Sequence, residues 1–299
     1  MTPGSWTRHL VATLALLCLT ACSGHPSSDG GGVGTAPTPI PPQAAVWYTA
    51  LGASDAAGVG ASVPCLPFTD CPNGTGYVPT LARALRADGH DVTLTNMGIP
   101  GAVLGPTIQQ IGNQYGLGIE ANLLEQEAPF VPRTTTLVTI FAGGNDANTI
   151  GTAIDRGAAS GTTPEAYIDQ QIQTFAADFA SVVAQARTRA GNPRIVVLNL
   201  PNFAGLPFMA GRSAEQKRWI ERLSVGFSTR GANALAAQAV LVVDLLCDAR
   251  AYDRSIYSSD GFHPNDAGYA FLAAQAHSAT VAGNWPAPSG NCAQMRLAP

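Results

Sequence analysis

Three side chains in this sequence could together carry nucleophilic chemistry: Ser54, Asp260 and His263. Ser54 lies in VWYTALGASDAAGVG, residues 46 to 60, where an apolar run feeds a small-residue turn with the hydroxyl at its tip. A serine hydroxyl is a weak nucleophile until a neighbouring base takes its proton. The stretch Asp260-Gly261-Phe262-His263-Pro264-Asn265 offers that base. An acid three residues before a histidine, on a turn leading into a helix, can orient the imidazole through Nδ1 and leave Nε2 facing a nucleophile. The structural alternatives are plain: a serine in a Gly-rich turn is ordinarily a turn residue, and Asp260 or Asn265 could simply cap the next helix. Two further groups could meet negative charge developing on a carbonyl oxygen. Asn145 follows Ala142-Gly143-Gly144, where glycines leave room for a substrate and the side chain supplies an amide donor. Gly101 closes the Gly/Pro-rich turn Asn96-Met97-Gly98-Ile99-Pro100-Gly101.

These groups need elements to position them, and the apolar patterning supplies five strands, over 46–51, 92–95, 135–141, 194–200 and 240–246. Between them run helical patterns. Val78, Leu81 and Leu85 mark one face of a helix over 77–88. Thr163-Pro164-Glu165 starts a long helix with Ile168, Ile172, Phe175, Phe179 and Val182 on its apolar face, and Gly191-Asn192-Pro193 stops it. Ser213 and Gln216 form a candidate capping box, with Trp219, Ile220 and Leu223 on the buried side, and residues 266–278 make the closing helix. Strands alternating with helices imply right-handed βαβ units. The expected fold is therefore α/β, a three-layer α/β/α sandwich with a mainly parallel sheet of about five strands. Ser54, Gly101 and Asn145 then stand at strand carboxyl ends, where open α/β sheets bind ligands.

The 299 residues carry a net charge of −4 with only 12% charged residues, so no basic face exists to hold nucleic acid. No internal repeat is visible. Residues 1–22 read as an export signal: Arg8, then an apolar run over 10–21 that is too short to span a bilayer. Its end, Leu19-Thr20-Ala21-Cys22, resembles the lipobox of bacterial lipoproteins, which makes Cys22 the lipidation site and the membrane a partner through an N-terminal lipid anchor. Residues 23–45 are a Gly/Ser/Pro-rich linker, and 46–299 the folded domain. The expected location is the bacterial cell envelope, periplasmic or at the cell surface.

In order and spacing, Ser54, Gly101, Asn145 and the Asp260/His263 pair resemble the SGNH, or GDSL, hydrolases, and the resemblance covers most of the domain. It implies a flavodoxin-like fold and a serine esterase or lipase working through an acyl-enzyme. Ser54, Asp260 and His263 are then the triad, and the amides of Ser54 and Gly101 with the Asn145 side chain form the oxyanion hole. The same apparatus could deacetylate a carbohydrate, and a binding lipoprotein that has lost turnover is the non-enzymatic alternative. The chain departs from the family at one point, with Ala53 where an aspartate usually precedes the serine. Asp55 follows the serine instead, and could either replace the aspartate's hydrogen bonds or cap the next segment. An α/β-hydrolase elbow fits less well, because Ala56 occupies the place of that motif's second glycine.

Neither a metal nor a cofactor is called for, since His9, His25, His90 and His277 show no ligand spacing. His90 reads as a turn residue and His277 as a helix residue. With Cys18 and Cys22 in the signal, four cysteines remain for an oxidising compartment. They allow three pairings. Cys65–Cys71, beside the Ser54 turn, with Cys247–Cys292, tying the C-terminal tail to the last strand, is the preferred one. The substrate is a small-molecule, lipid or glycan ester.

Overall fold

The computed structural model describes residues 38–69 and 71–299, so the signal, Cys22 and most of the linker lie outside the described residues. Five short segments form the sheet, all mainly apolar except the edge strand β2: β1 (Ala45–Gly52), β2 (Asp91–Asn96), β3 (Leu137–Phe141), β4 (Arg194–Leu198) and β5 (Leu241–Val243). Every pairing is parallel and the order is β2-β1-β3-β4-β5. All residues of β3, β4 and β5 are buried, as expected of parallel strands covered on both faces.

The helices are α1 (Ser54–Ala57), α2 (Tyr77–Ala87), α3 (Pro106–Gln114), α4 (Leu123–Gln126), α5 (Gly144–Asp155), α6 (Pro164–Ala190), α7 (Ala214–Gly226) and α8 (Asp266–Val281). The strand order sorts most of them into layers. The crossover from β1 to β2 runs one way along the sheet, and those leading to β3, β4 and β5 run the other. Right-handed connections that run in opposite directions cover opposite faces. Accordingly α2 packs with α8, while α5, α6 and α7 pack with one another. The reversal of direction lies between β1 and β3, the crevice where sheets of this order bind ligands.

Local signals account for the helix ends. Thr163 accepts from the Ala166 amide at 3.2 Å, and Gly191 ends α6 with φ 67°. Ser213 and Gln216 exchange both bonds of the capping box at 3.2 Å. The expected fourth and fifth strands overrun the observed ones. Leu200 turns its amide to the Ser228 hydroxyl at 3.0 Å, and the Leu245 amide folds back on the Val243 carbonyl at 3.2 Å, so neither continues a ladder. Helices α3, α4 and α5 and the irregular helical stretch 227–238 had no counterpart in the sequence reading. Thr38, within the expected linker, already packs on the domain, its carbonyl accepting from Arg194 at 2.9 Å.

Both preferred disulfides are present, Cys65–Cys71 and Cys247–Cys292. The second holds the C-terminal tail against the segment that follows β5.

Candidate active site

Ser54 opens α1 directly after β1. The chain can turn there because Gly52 lies so close to β3 that a Cβ would stand 2.6 Å from the Phe141 carbonyl oxygen. First-turn amides of a helix have no acceptor within it, so the Ser54 N–H is uncommitted to the helix. The Ser54 side chain is 6% exposed, and its Oγ lies 2.8 Å from His263 Nε2. His263 Nδ1 lies 2.6 Å from Asp260 Oδ2. The other oxygen, Oδ1, accepts from the amides of Phe262 (2.8 Å) and His263 (2.9 Å) and from the Ser258 hydroxyl (2.8 Å). Burial alone would raise the Asp260 carboxyl, but the bonds from the His263 ring, the two amides and Ser258 bring it down to about 2. Asp260 is therefore ionised at neutral pH and can only accept, which makes Nδ1 the donor and leaves Nε2 to accept from Ser54.

The capping alternative is resolved by division of labour. Asn265 caps α8, accepting from the amides of Ala267 at 3.0 Å and Gly268 at 3.1 Å, and Asp260 is left to the imidazole. The loop carrying His263 lies on Gly60, whose φ is 91°. A Cβ there would meet the Pro264 carbonyl oxygen at 2.6 Å and His263 Cβ at 3.0 Å.

The turn 96–101 is bound to the Ser54 turn by several bonds. Met97 N donates to Ala50 O (2.9 Å), Ile99 N to Gly52 O (3.1 Å) and Asn96 Nδ2 to Ala56 O (2.7 Å). Asn145, in the first turn of α5, donates from Nδ2 to the Ala102 carbonyl at 2.8 Å, which fastens it beside Gly101. One hydrogen of its amide remains for a ligand. The structure thus brings together all five residues expected at the site. The glycines before Asn145 line a cavity and also permit close packing around it. The place of a Gly143 side chain is filled by Leu200 and Phe175, and that of Gly144 by Phe262.

A narrow cavity of about 40 Å³ reaches Gly144 and Asn145, with walls that include Phe203, Leu206, Phe262 and Phe271. Asp55, in the first turn of α1, is on the same wall, and its carboxyl accepts from its own backbone amide. Burial pushes its carboxyl up to about 6; the charge of His263 opposes the rise and that of Asp260 adds to it.

The profile of the GDSL-like lipase/acylhydrolase family matches residues 50–271, which spans β1 to α8 and every residue just described. The chain belongs to that family. As a GDSL-like acylhydrolase it is a hydrolase acting on esters. Solved structures agree on the fold. A lipase from a goat rumen metagenome is 21% identical with a TM-score of 0.54, covering 79% of this chain and 98% of its own. Phospholipase A1 from Streptomyces albidoflavus is 22% identical with a TM-score of 0.51, covering 78% and 99%. An extracellular lipase from Streptomyces rimosus is 21% identical with a TM-score of 0.53, covering 79% and 100%. No curated protein matches the sequence at a significant level.

Supporting residues of this acylhydrolase escaped the sequence reading. Asp146 is fully buried, and its Oδ1 accepts from the Leu104 amide at 2.8 Å, which steadies the loop after Gly101. Glu127 is also fully buried, with Oε2 accepting from the Gly52 amide at 2.9 Å. No spacing advertised Glu127, because its partner lies 75 residues away. His90 is buried at the start of β2, beside the Ala44 carbonyl at 3.1 Å, and His277 meets Asp88 across the α8 surface at 2.6 Å. Two disulfides suit a protein of an oxidising compartment. Among the described residues no helix is long and apolar enough to cross a membrane.

Proposed function

We propose that Ser54 is the nucleophile of this ester hydrolase, with His263 as its base and Asp260 as the acid that orients it. The observation that carries the reading is the line of hydrogen bonds Ser54–His263–Asp260, drawn from opposite ends of the domain. His263 Nε2 takes the Ser54 proton as Oγ attacks the ester carbonyl. The amides of Ser54 and Gly101 and the Asn145 side chain then hold the negative oxygen. Collapse of the tetrahedral state breaks the bond to the alcohol oxygen, which leaves with the proton from His263. The acyl group stays on Ser54 until His263 activates a water, whose attack releases the acid and restores the serine. Asp260 remains ionised and stabilises the imidazolium. The aromatic and aliphatic wall beside Asn145 favours an apolar acyl group over a sugar on the acyl side.

A fluorophosphonate probe tests the assignment. It should label wild type at Ser54 and leave Ser54→Ala unlabelled and without turnover on a panel of p-nitrophenyl esters. Labelling at another residue, or turnover by Ser54→Ala, would remove Ser54 from the role.

We also infer export and lipid anchoring through Cys22, with the Gly/Ser/Pro-rich stretch before Thr38 as the tether that sets the domain off the membrane. The lipobox, the Gly/Ser/Pro-rich composition and the two disulfides support it. Cys22→Ala should abolish lipid labelling and membrane partition of the full chain, while the domain from Val46 stays active in solution. Unchanged partition in the variant would refute the anchor.

A further inference from the structure

Glu127 is an acid at the centre of the fold that the proposed mechanism does not use. It follows α4 and is fully buried. Its carboxyl accepts from the Gly52 amide (to Oε2, 2.9 Å) and feels the pull of the nearby Ile99 amide, whose N–H donates to the Gly52 carbonyl. Oε1 is buried without a hydrogen-bond partner. Burial pushes the group well above the usual carboxylate range, against the pull of the Gly52 and Ile99 amides. An acid in such a place costs stability that an apolar residue would not, since an unpaired buried polar atom carries its whole desolvation penalty.

The two amides explain what that cost achieves. Gly52 stands two residues before Ser54, and Ile99 two residues before Gly101. These are the turns that supply the two backbone donors of the proposed oxyanion hole. Ile99 N to Gly52 O at 3.1 Å joins them, beside Met97 N to Ala50 O and Asn96 Nδ2 to Ala56 O, and the Glu127 carboxyl holds the Gly52 amide at the same junction. Ala53, which follows Gly52, has no polar side chain to brace the turn from within, and α1 has no side-chain cap. The brace therefore comes from another element.

We propose that Glu127 is a positioning residue for ester hydrolysis: by accepting from the amide of Gly52, whose carbonyl in turn receives the Ile99 amide, it sets the separation of the Ser54 and Gly101 amides that receive the oxyanion. This rests on the assignment of those amides in the preceding subsection. An oxyanion donor works only when it is already aimed at the place where charge develops, so a shift of a few tenths of an ångström falls on the transition state and hardly on the bound ester.

The test compares Glu127→Gln, Glu127→Asp and Glu127→Leu on a short-chain p-nitrophenyl ester, with kcat, KM, melting temperature and the Ki of an alkyl boronic acid, whose tetrahedral adduct mimics the charged state. Gln presents the same acceptor at the same reach and should keep kcat within about threefold. Asp cannot reach and Leu cannot accept. Each should lose about 10- to 100-fold in kcat with KM nearly constant, and the boronate Ki should rise in parallel. A folded Asp or Leu variant with wild-type kcat overturns the proposal. So does a Gln variant as impaired as Leu, or a loss that appears in KM instead. If neither Asp nor Leu yields a folded protein while Gln is unchanged, Glu127 serves the fold and the proposal fails. Fluorophosphonate labelling of Ser54 in wild type keeps the two readings apart. Without it the catalytic assignment fails; with it, and with variants of normal kcat, only the role of Glu127 does.

Discussion

Replacing Asn145 by alanine separates a catalytic amide from a structural one, because the side chain has a use for each of its two hydrogens. One is given to the Ala102 carbonyl at 2.8 Å. Ala102 is 2% exposed, so its carbonyl would be left without that partner and without ready access to water. Stranding a buried acceptor costs about 1–3 kcal/mol, and a domain of this size melts about 2–4 °C lower for each kcal/mol lost. A fall of a few degrees is therefore expected whatever the residue does in catalysis. The second hydrogen is the one assigned to the oxyanion, and it matters only once the carbonyl oxygen carries charge. Losing one such donor costs about 3–4 kcal/mol of transition-state stabilisation, roughly 10²–10³ in kcat, and leaves KM close to wild type. The assay is steady-state hydrolysis of a short-chain ester beside a melting curve of the same preparation. Ser54 should still react with a fluorophosphonate, more slowly. A variant that melts a few degrees early yet keeps wild-type kcat would show that the amide only fastens the Gly101 loop, and Asn145 would leave the oxyanion hole.

Ser54→Ala and His263→Ala should each remove nearly all turnover, and the double variant should be hardly worse; losses that simply multiply would show that the two do not act as one unit. Gly60→Ala forces a side chain against His263 and the Pro264 carbonyl at a left-handed φ, so it should lower kcat and melting temperature together, and an unaffected variant would contradict the close approach. The acid Asp55, raised to about 6, holds its proton more tightly in the folded chain than in the unfolded one, so its penalty appears as pH rises from about 4 to 6 and is complete above that. Asp55→Asn should gain melting temperature over wild type at pH 8 and little at pH 4; equal differences at both would refute the burial of charge. Asp260, depressed to about 2, has the opposite sign: its contribution is complete above about pH 4 and is lost as pH falls through 2, so Asp260→Asn should lose least, relative to wild type, at the acid end. Opening Cys247–Cys292, separated by 45 residues, should cost about 4 kcal/mol by chain entropy, and opening Cys65–Cys71, separated by 6, about 2 kcal/mol; the reverse order in denaturant unfolding would discount that account.

The inner strands were legible because parallel strands buried on both faces must be continuously apolar, whereas β2, at the sheet edge and half exposed, shows only Val92 and Leu94 as alternating apolar residues. Strand ends were not legible. Nothing in Leu200 or Leu245 announces that the Ser228 hydroxyl and a local turn will divert their amides. Helix α5 was missed for a related reason. Gly143 and Gly144 read as a loop that leaves space for a ligand; both do line the cavity, but the helix begins at Gly144, with Leu200, Phe175 and Phe262 packed closely about the pair.

The site divides along the same line. Ser54, Asp260 and His263, which the fold brings into one line of hydrogen bonds, could be singled out as candidates from the chain because chemistry restricts their types, and two of them are three residues apart. What holds them could not be, since a brace needs only an acceptor at the right place and any element may supply it. The departure at Ala53 shows the consequence. With the usual acid absent from the turn, the hydrogen bonds around it come from Asn96 on the Ala56 carbonyl and from Glu127 on the Gly52 amide, each reached only through the fold. Asp55, the acid nearest in sequence to the missing one, accepts from its own amide and faces the cavity instead of bracing Gly52. Proximity in sequence therefore points to the wrong replacement. An acid displaced by one residue at the start of a helix is turned about 100° away, so it serves a different wall of the same site.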